Sequence, residues 1–376
     1  MNYFSSAGFT LLLVAAIVYV AIRIYRILPV QKWLKTTLTV VYSVAAVFFT
    51  LSVTGCLDLL PLSLASFIYI FGNSWFIFFF YALIIFLTME VLRFFGILKK
   101  EVMRRNVVGS AVIFGIIAAL MICGAINYRH KYREEISIST VKVERPVKIV
   151  MMSDLHIGYH NRRAELARWI DMVNAEKPDI FLIAGDIIDR SARAVYDEGD
   201  AAEFHRLNAP VYACLGNHEY YAGRDSSIQF YREAGINLLI DSAVTVCGIT
   251  IIGRDDSVNE ERCSAEDLTR HTDPTSYRIL LTHKPDTLSQ ACRAGVDLQL
   301  SGHTHGGQIW PVTWLVSIQD ELAHGYKEKD GTRFYVSSGI GIWGGRFRIG
   351  SRSEYLVLNL VPVAPPSFRQ AAENTP

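Results

Sequence analysis

Side chains that bind metal ions follow five short apolar segments of this sequence. The segments read VKIVMM, DIFLIA, VYACL, ILLT and LQLS, and Asp, Asn or His appears within four residues of the end of each. These side chains are Asp154, His156, Asp186, Asn217, His283, His303 and His305. Each one alone has an ordinary structural explanation, such as a helix N-cap for Asp186 or a buried core imidazole for His283. Their recurrence at five successive segment ends instead indicates one common site.

The chemistry of this ligand set favours a pair of transition-metal ions. Asp, Asn and His together suit borderline divalent metals such as Mn, Fe or Zn. The set has too many histidines for calcium and no cysteine for a structural zinc site. The ligands are too many for one ion, but they suffice for two if one carboxylate bridges. Two ions about 4 Å apart can hold a hydroxide and clamp the attacking and leaving oxygens of a phosphoryl transfer.

The elements that must position these ligands are strands alternating with helices. The five segments are short, apolar and rich in β-branched residues, which predicts buried strands. After the first of them, Leu166, Trp169, Ile170 and Val173 recur at helical spacing. The later stretch VTVCGITIIG predicts a hairpin that turns near Gly248. Alternating strands and helices predict a layered α/β domain, in which ligands bind at the carboxyl ends of the strands.

The first third of the chain is typical of a membrane region. Four apolar runs are each about 20 residues long, which is enough to cross the hydrocarbon core of a bilayer as a helix. They are Tyr3–Ile22, Thr37–Gly55, Phe67–Leu87 and Val107–Ile126. The first and third loops between them carry clusters of Lys and Arg, whereas the second carries none. Because positively charged loops stay in the cytoplasm, we expect everything after residue 130 to lie outside it.

Composition sets the remaining limits. The chain has 376 residues, 51% of them hydrophobic, and its net charge of +1 gives no indication of a nucleic-acid partner. The six cysteines form no CxxC zinc pattern; four of them lie beyond the membrane region and could pair as disulfides in an oxidising compartment. The predicted domains are a four-helix transmembrane region at 1–130, a polar connector at 131–146, an α/β domain at 147–361 and a polar tail at 362–376.

The ordered motifs resemble the calcineurin-like metallophosphoesterase superfamily. They read SDLHIG, AGDIID, GNHE, LLTHKP and SGHTHGGQ, and the resemblance spans residues 147 to about 358. The GGQ after the last His pair and the GRDD at 253–256 look most like the membrane-associated bacterial phosphodiesterase branch. The resemblance implies a four-layer αββα sandwich, here preceded by a transmembrane bundle of four helices.

The resemblance also implies a role for each site residue. The first metal would be bound by Asp154, His156 and His305. The second would be bound by Asn217, His283 and His303, and Asp186 would bridge the two. His218 would face the substrate, stabilise the phosphoryl oxygens and protonate the leaving group. Asp189 and Glu219 would orient the ligand histidines.

These observations predict a membrane-anchored, dinuclear metal-dependent phosphoesterase. Its location suggests a lipid or envelope substrate at the bilayer, and a soluble nucleotide is the alternative substrate. The alternative is a membrane sensor or transporter whose C-terminal domain binds metal or phosphate without catalysis. A metallopeptidase is disfavoured because the chain has no HExxH. We expect His160 to be a rim residue, and the tryptophans at 310, 314 and 343 to pack in the ordinary way rather than face lipid.

Overall fold

The computed structural model describes residues 3–285 and 288–363, with side chains from residue 8 onward. These residues form two compact units. The first comprises the chain up to Tyr128 together with Gly344–Ile349. The second comprises Arg129–Trp343 and the chain from Gly350 on. The predicted tail lies largely outside the described residues.

The first unit contains four long helices where the sequence predicts membrane spans. They are α1 Tyr3–Ile27, α2 Lys32–Ser52, α3 Leu62–Phe94 and α4 Val107–Arg129, with short 3-10 helices at Gly55–Leu59 and Lys100–Met103. All four are long and apolar enough to cross a membrane. At about 1.5 Å per residue, the 33 residues of α3 extend well beyond the roughly 30 Å of a hydrocarbon core.

Close packing of small and polar residues joins α2 to α3. A Cβ atom on Gly72 would lie 2.5 Å from the backbone nitrogen of Phe49, so only glycine allows this approach of the two backbones. Asn73, one residue on, donates to the carbonyl of Tyr69 at 2.8 Å and to the hydroxyl of Ser52 at 3.1 Å. The buried amide is thereby satisfied where no water is available.

The described residues of the second unit form two six-stranded sheets and eight α-helices. The strands are β1 Lys131–Thr140, β2 Val147–Met152, β3 Ile180–Ala184, β4 Val211–Cys214, β5 Asn237–Leu238, β6 Ser242–Val246, β7 Ile249–Gly253, β8 Tyr277–Leu281, β9 Leu298–Ser301, β10 Gly325–Lys329, β11 Thr332–Val336 and β12 Ser353–Pro362. The helices are α5 Arg163–Glu176, α6 Ala192–Glu198, α7 Ala201–Phe204, α8 Asn217–Tyr221, α9 Arg224–Glu233, α10 Ala265–Thr269, α11 Leu288–Arg293 and α12 Val312–Gln319. One sheet has the order β1-β12-β2-β3-β4-β5, and the other β10-β11-β9-β8-β7-β6.

The apolar residues divide the second unit into four layers. Successive residues of a strand point to opposite faces of its sheet. Accordingly, Val150 of β2 joins the cluster that packs under α5, whereas Ile149 joins the cluster shared by the strands of both sheets. A third cluster joins Leu280 and Phe334 of the other sheet to α11. The resulting helix–sheet–sheet–helix arrangement confirms the predicted αββα sandwich.

Local predictions in this unit are mostly confirmed. The four apolar residues at helical spacing lie buried on α5, and the hairpin forms from β6 and β7 with its turn at Gly248. The stretch expected as a connector differs, because its residues 131–140 form β1. This strand pairs in parallel with β12 over its full length. All six cysteines are free.

Candidate metal centre

Both sheets deliver their ligands to one place. In the first sheet, β2, β3 and β4 run parallel, so their carboxyl ends meet at one edge. The turns after them carry the first four predicted ligands along the chain, Asp154, His156, Asp186 and Asn217. In the second sheet, β8 and β9 are also parallel, and the turns after them carry His283, His303 and His305. The site therefore lies where the ends of two sheets face each other.

The first group of ligand atoms comes from Asp154, His156 and His305. Nε2 of His305 lies 3.4 Å from Oδ1 of Asp154, and the Nε2 atoms of the two histidines lie 3.2 Å apart. Nε2 of His156 is 3.8 Å from the same carboxylate oxygen. Three ligand atoms at these separations surround a single point that suits one cation.

The second group forms beside the first and shares a carboxylate with it. Oδ2 of Asp186 lies 3.0 Å from Nε2 of His283 and 3.6 Å from Nε2 of His156, so this carboxylate faces both groups. Oδ1 of Asn217 and Nδ1 of His303 lie 2.9 Å apart. The structure thus brings the seven predicted ligands to one place, since the ring of His303 lies 5.1 Å from that of His283 and the carboxylate of Asp186 lies between His156 and His283. That Asp186 bridges two ions stays a prediction.

The tautomer of His283 shows that this donor set suits a divalent cation. Nδ1 of His283 lies 2.8 Å from the carbonyl of Ala184, an acceptor, so Nδ1 carries the proton and Nε2 presents its lone pair. Within the described residues this buried Nε2 makes no hydrogen bond of regular geometry, and the polar atom that faces it is Oδ2 of Asp186. A backbone carbonyl that fixes the tautomer of a histidine is the usual support of a metal-ligating imidazole.

The ligand turns hold an unfavourable backbone conformation. The φ angles of five ligand residues lie between 44° and 71°, in the left-handed region that costs a non-glycine residue about 1–2 kcal/mol. These residues are Asp154, His156, Asp186, His303 and His305. Such a concentration of strain is typical of functional sites, where surrounding structure enforces a geometry that the chain would not adopt alone.

The buried carboxylates of the centre lie beside histidines that carry positive charge. Burial opposes ionisation of Asp154, but the charge of His305 and contacts with His156 hold its pKa well below the usual range. For His156, burial is outweighed by hydrogen bonding to Asp154 and Asp189, which raises its pKa to about 10. Burial and the nearby His283 lower the pKa of His303 to about 4. Protons therefore balance the buried carboxylates here, and binding of a metal would release them.

Asp189 supports three histidines at once. Its Oδ1 lies 3.4 Å from Nδ1 of His156 and 3.3 Å from Nδ1 of His218, and its backbone carbonyl lies 2.7 Å from that same atom of His218. Its Oδ2 is 3.8 Å from Nδ1 of His160. His160 is fully buried, with its other nitrogen 2.6 Å from the carbonyl of Ile342. The prediction of a rim residue was therefore wrong, since a position just after a ligand motif cannot show that its side chain turns inward.

Glu219 fixes the backbone of two ligand turns. Its side chain is fully buried, and Oε2 accepts from the amides of Asp186 at 3.1 Å and Gly216 at 2.7 Å. Oε1 accepts from the amide of Ile188 at 3.0 Å. Burial and the neighbouring Asp186 nonetheless raise the pKa of Glu219 to about 7. The carboxyl group therefore acts on the backbone that carries Asp186 and Asn217, whereas the sequence predicted that it would act on histidines.

His218 borders the centre from the side that remains partly open. Its side chain is 12% exposed, and its ring packs edge-on against that of His156 with centroids 4.5 Å apart. The ring of Tyr221, one turn later on α8, lies 5.4 Å away and is largely exposed. Tyr221 was not predicted as a site residue, although its place three residues after His218 is the spacing of neighbours on a helix face.

The chain is similar to known proteins of one family. The model of the family described as calcineurin-like phosphoesterase matches residues 147–307. An uncharacterized metallophosphoesterase of Campylobacter jejuni is 34% identical over 254 residues, which cover 65% of this chain and 68% of the relative. One of Aquifex aeolicus is 32% identical over 255 residues, which cover 64% of this chain and 97% of the relative. A transmembrane protein with metallophosphoesterase domain of Danio rerio is 31% identical over 234 residues, which cover 57% of this chain and 53% of that protein.

Proposed function

Because the chain belongs to the calcineurin-like metallophosphoesterase family, we propose that it is a membrane-anchored hydrolase of phosphoesters that uses two divalent metal ions. The observation that carries the proposal is the shared position of Asp186 between two groups of buried ligand atoms. Mn, Fe and Zn all suit this set of Asp, Asn and His. When bound, two such ions supply the positive charge that activates a water and neutralises the phosphoryl oxygens.

The chain's own residues divide the remaining work. The carboxylates and imidazoles of both groups would hold the ions. His218 would protonate the leaving oxygen from Nε2, because Nδ1 is held by two acceptors on Asp189. The side chain and backbone carbonyl of Asp189 orient this imidazole, as a carboxylate orients the histidine of a general acid. The carboxylate of Glu219 keeps the turns of Asp186 and Asn217 in place.

We further propose that the hydrolase unit lies outside the cytoplasm of a bacterial cell. Basic residues from the ends of α1 and α3 and from the connection between α3 and α4 line a cavity of about 120 Å³; they are Arg23, Arg26, Arg93, Lys100 and Arg104. The amide of Arg105 donates to the carbonyl of Arg26 at 2.9 Å, which joins these segments. Clustered positive charge supports a cytoplasmic position for these segments. Since α4 begins there, it would lead the chain across to the other side.

The proposal is tested by hydrolysis of bis-p-nitrophenyl phosphate. The full-length protein in detergent should release p-nitrophenol in the presence of Mn²⁺, and the chelated protein should not. Asp186→Asn is the matched control, because it keeps the size of the side chain and removes the bridging charge. If wild type and Asp186→Asn show the same rate across Mn²⁺, Fe²⁺ and Zn²⁺, the enzymatic reading is wrong.

A further inference from the structure

The helix that follows the last ligand pair presents a large apolar face to its surroundings. No residue of α12 is buried. Trp314 is 60% exposed, Leu315 52% and Ile318 65%, and Trp310 just before the helix is 54% exposed. The expectation that the tryptophans at 310, 314 and 343 pack in the ordinary way was therefore wrong, since Trp343 is also largely exposed. Contiguous large apolar side chains on a surface mark a place of interaction.

This helix is fixed rigidly to the metal centre. The turn His305–Gly307 precedes the helix by four residues, and the amide of Thr313 donates to the carbonyl of Ile309 at 3.1 Å. A Cβ atom on Gly307 would lie 2.6 Å from the backbone nitrogen of Thr313, so the ligand turn and the helix are in tight backbone contact. Whatever binds the apolar face is consequently held beside His305.

The chemistry of the face suits a bilayer surface. Residues 309–319 include no charged side chain, and their exposed residues are Trp310, Trp314, Leu315 and Ile318 together with the uncharged Ser317 and Gln319. A short helix with this composition lies in the interface of a membrane, where tryptophan is the preferred side chain. The chain also carries four helices that are able to cross a membrane, which would keep the protein at a bilayer.

We propose that the face of Trp310, Trp314, Leu315 and Ile318 inserts into the bilayer interface, and that the substrate is a membrane lipid with a phosphoester headgroup. This inference rests on the proposed phosphoesterase function and specifies its substrate class. Insertion of α12 would bring headgroup phosphates beside the ligand turn His305–Gly307, whose backbone contacts the first turn of the helix. A soluble phosphoester reaches the same centre without help from the helix.

The test compares two substrates with one protein in proteoliposomes. The full-length chain is given either soluble bis-p-nitrophenyl phosphate or a phosphatidylglycerol presented in the vesicles. Trp314→Ser/Ile318→Ser should lower hydrolysis of the lipid about tenfold or more, because each apolar side chain contributes at least about a factor of ten to interfacial partitioning. Hydrolysis of the soluble substrate should stay within twofold of wild type. Val258→Ser/Tyr326→Ser removes exposed apolar residues elsewhere and should alter neither rate.

A measurement without activity completes the test. The fluorescence of Trp314, taken as the difference between wild type and Trp314→Phe, should be quenched by brominated phosphatidylglycerol and not by the unbrominated lipid. Failure of wild type to hydrolyse either substrate would contradict the phosphoesterase function itself. Hydrolysis of the soluble substrate alone, equal losses on both substrates, or absence of quenching would overturn the lipid assignment. A wild-type dimer that Ile318→Gln converts to monomers would also overturn it, because a second copy would then cover the face.

Discussion

Replacement of Glu219 tests whether this carboxylate fixes the backbone of the ligand turns without binding metal itself. Its carboxylate is the acceptor for three buried amides, those of Asp186, Ile188 and Gly216. In Glu219→Gln, the remaining carbonyl oxygen can accept from Asp186 and Gly216, while the new NH₂ group faces the amide of Ile188. In Glu219→Ala, all three amides lose their acceptor.

The magnitude follows from the number of amides left unsatisfied. A buried donor without a partner costs about 1–3 kcal/mol. Glu219→Gln should therefore lower the free energy of unfolding by about 1–3 kcal/mol, and Glu219→Ala by about 3–9 kcal/mol. For a domain of this size, about 1 kcal/mol shifts the melting temperature by roughly 2–4 °C. The expected loss is about 2–12 °C for the first variant and at least about 6 °C for the second.

Melting is followed by tryptophan fluorescence of the full-length protein, and bound metal is measured by mass spectrometry on the same samples. We expect Glu219→Ala to lose metal, because the turns that carry Asp186 and Asn217 are no longer fixed. Glu219→Gln should keep more metal and more hydrolysis. If Glu219→Ala melts within about 2 °C of wild type and retains its metal, the structural role assigned to this carboxylate is refuted.

Three further outcomes are expected. Gly216→Ala should abolish hydrolysis, since a Cβ there would overlap Oδ1 of Asp186; activity near that of wild type would contradict this contact. His303→Ala and His305→Ala should each leave one ion where wild type holds two, at different positions in anomalous-scattering maps; loss of the same ion in both would contradict the assignment. Burial raises the pKa of Asp200 to about 7, above about 3.9 in the unfolded chain, so wild-type stability should fall as pH rises between these values. Asp200→Asn should remove that fall, so the melting temperature of the variant minus that of wild type should increase from pH 5 to pH 8. A difference that stays constant with pH would contradict the raised pKa of Asp200.

The ligand set could be predicted because its signal is local. A buried strand that is followed directly by a turn with Asp or His can be recognised in the sequence. Pairing of these strands in a sheet then brings the turns together. Metal binding itself stays a prediction. Strand β1 was not recognised because it lies at the edge of its sheet, where only Ile136 and Ile138 mark an apolar face. An edge strand with one covered face and few apolar residues resembles a polar linker.

Burial of single side chains depended on contacts far away in the chain. His160 is enclosed by Ile342, and nothing within the first motif indicates a partner 182 residues later. The exposure of Trp314 posed the opposite problem. An apolar residue on a short helix predicts a buried face, and only the surroundings reveal whether another part of the protein covers it.

The division of the ligands between two sheets bears on how the protein matures. Asp154 and Asp186 leave one sheet, whereas His283, His303 and His305 leave the other, and they are separated by about a hundred residues of chain. A nascent chain that ends before β8 would present Asp154, His156, Asp186 and Asn217 without three of the four ligand histidines, and its affinity for transition metals would be low. Metal uptake should thus be the last event of biosynthesis. Bound ions would link the two sheets in addition to the apolar cluster that the sheets share, so removal of the metal should lower the free energy of unfolding of the second unit.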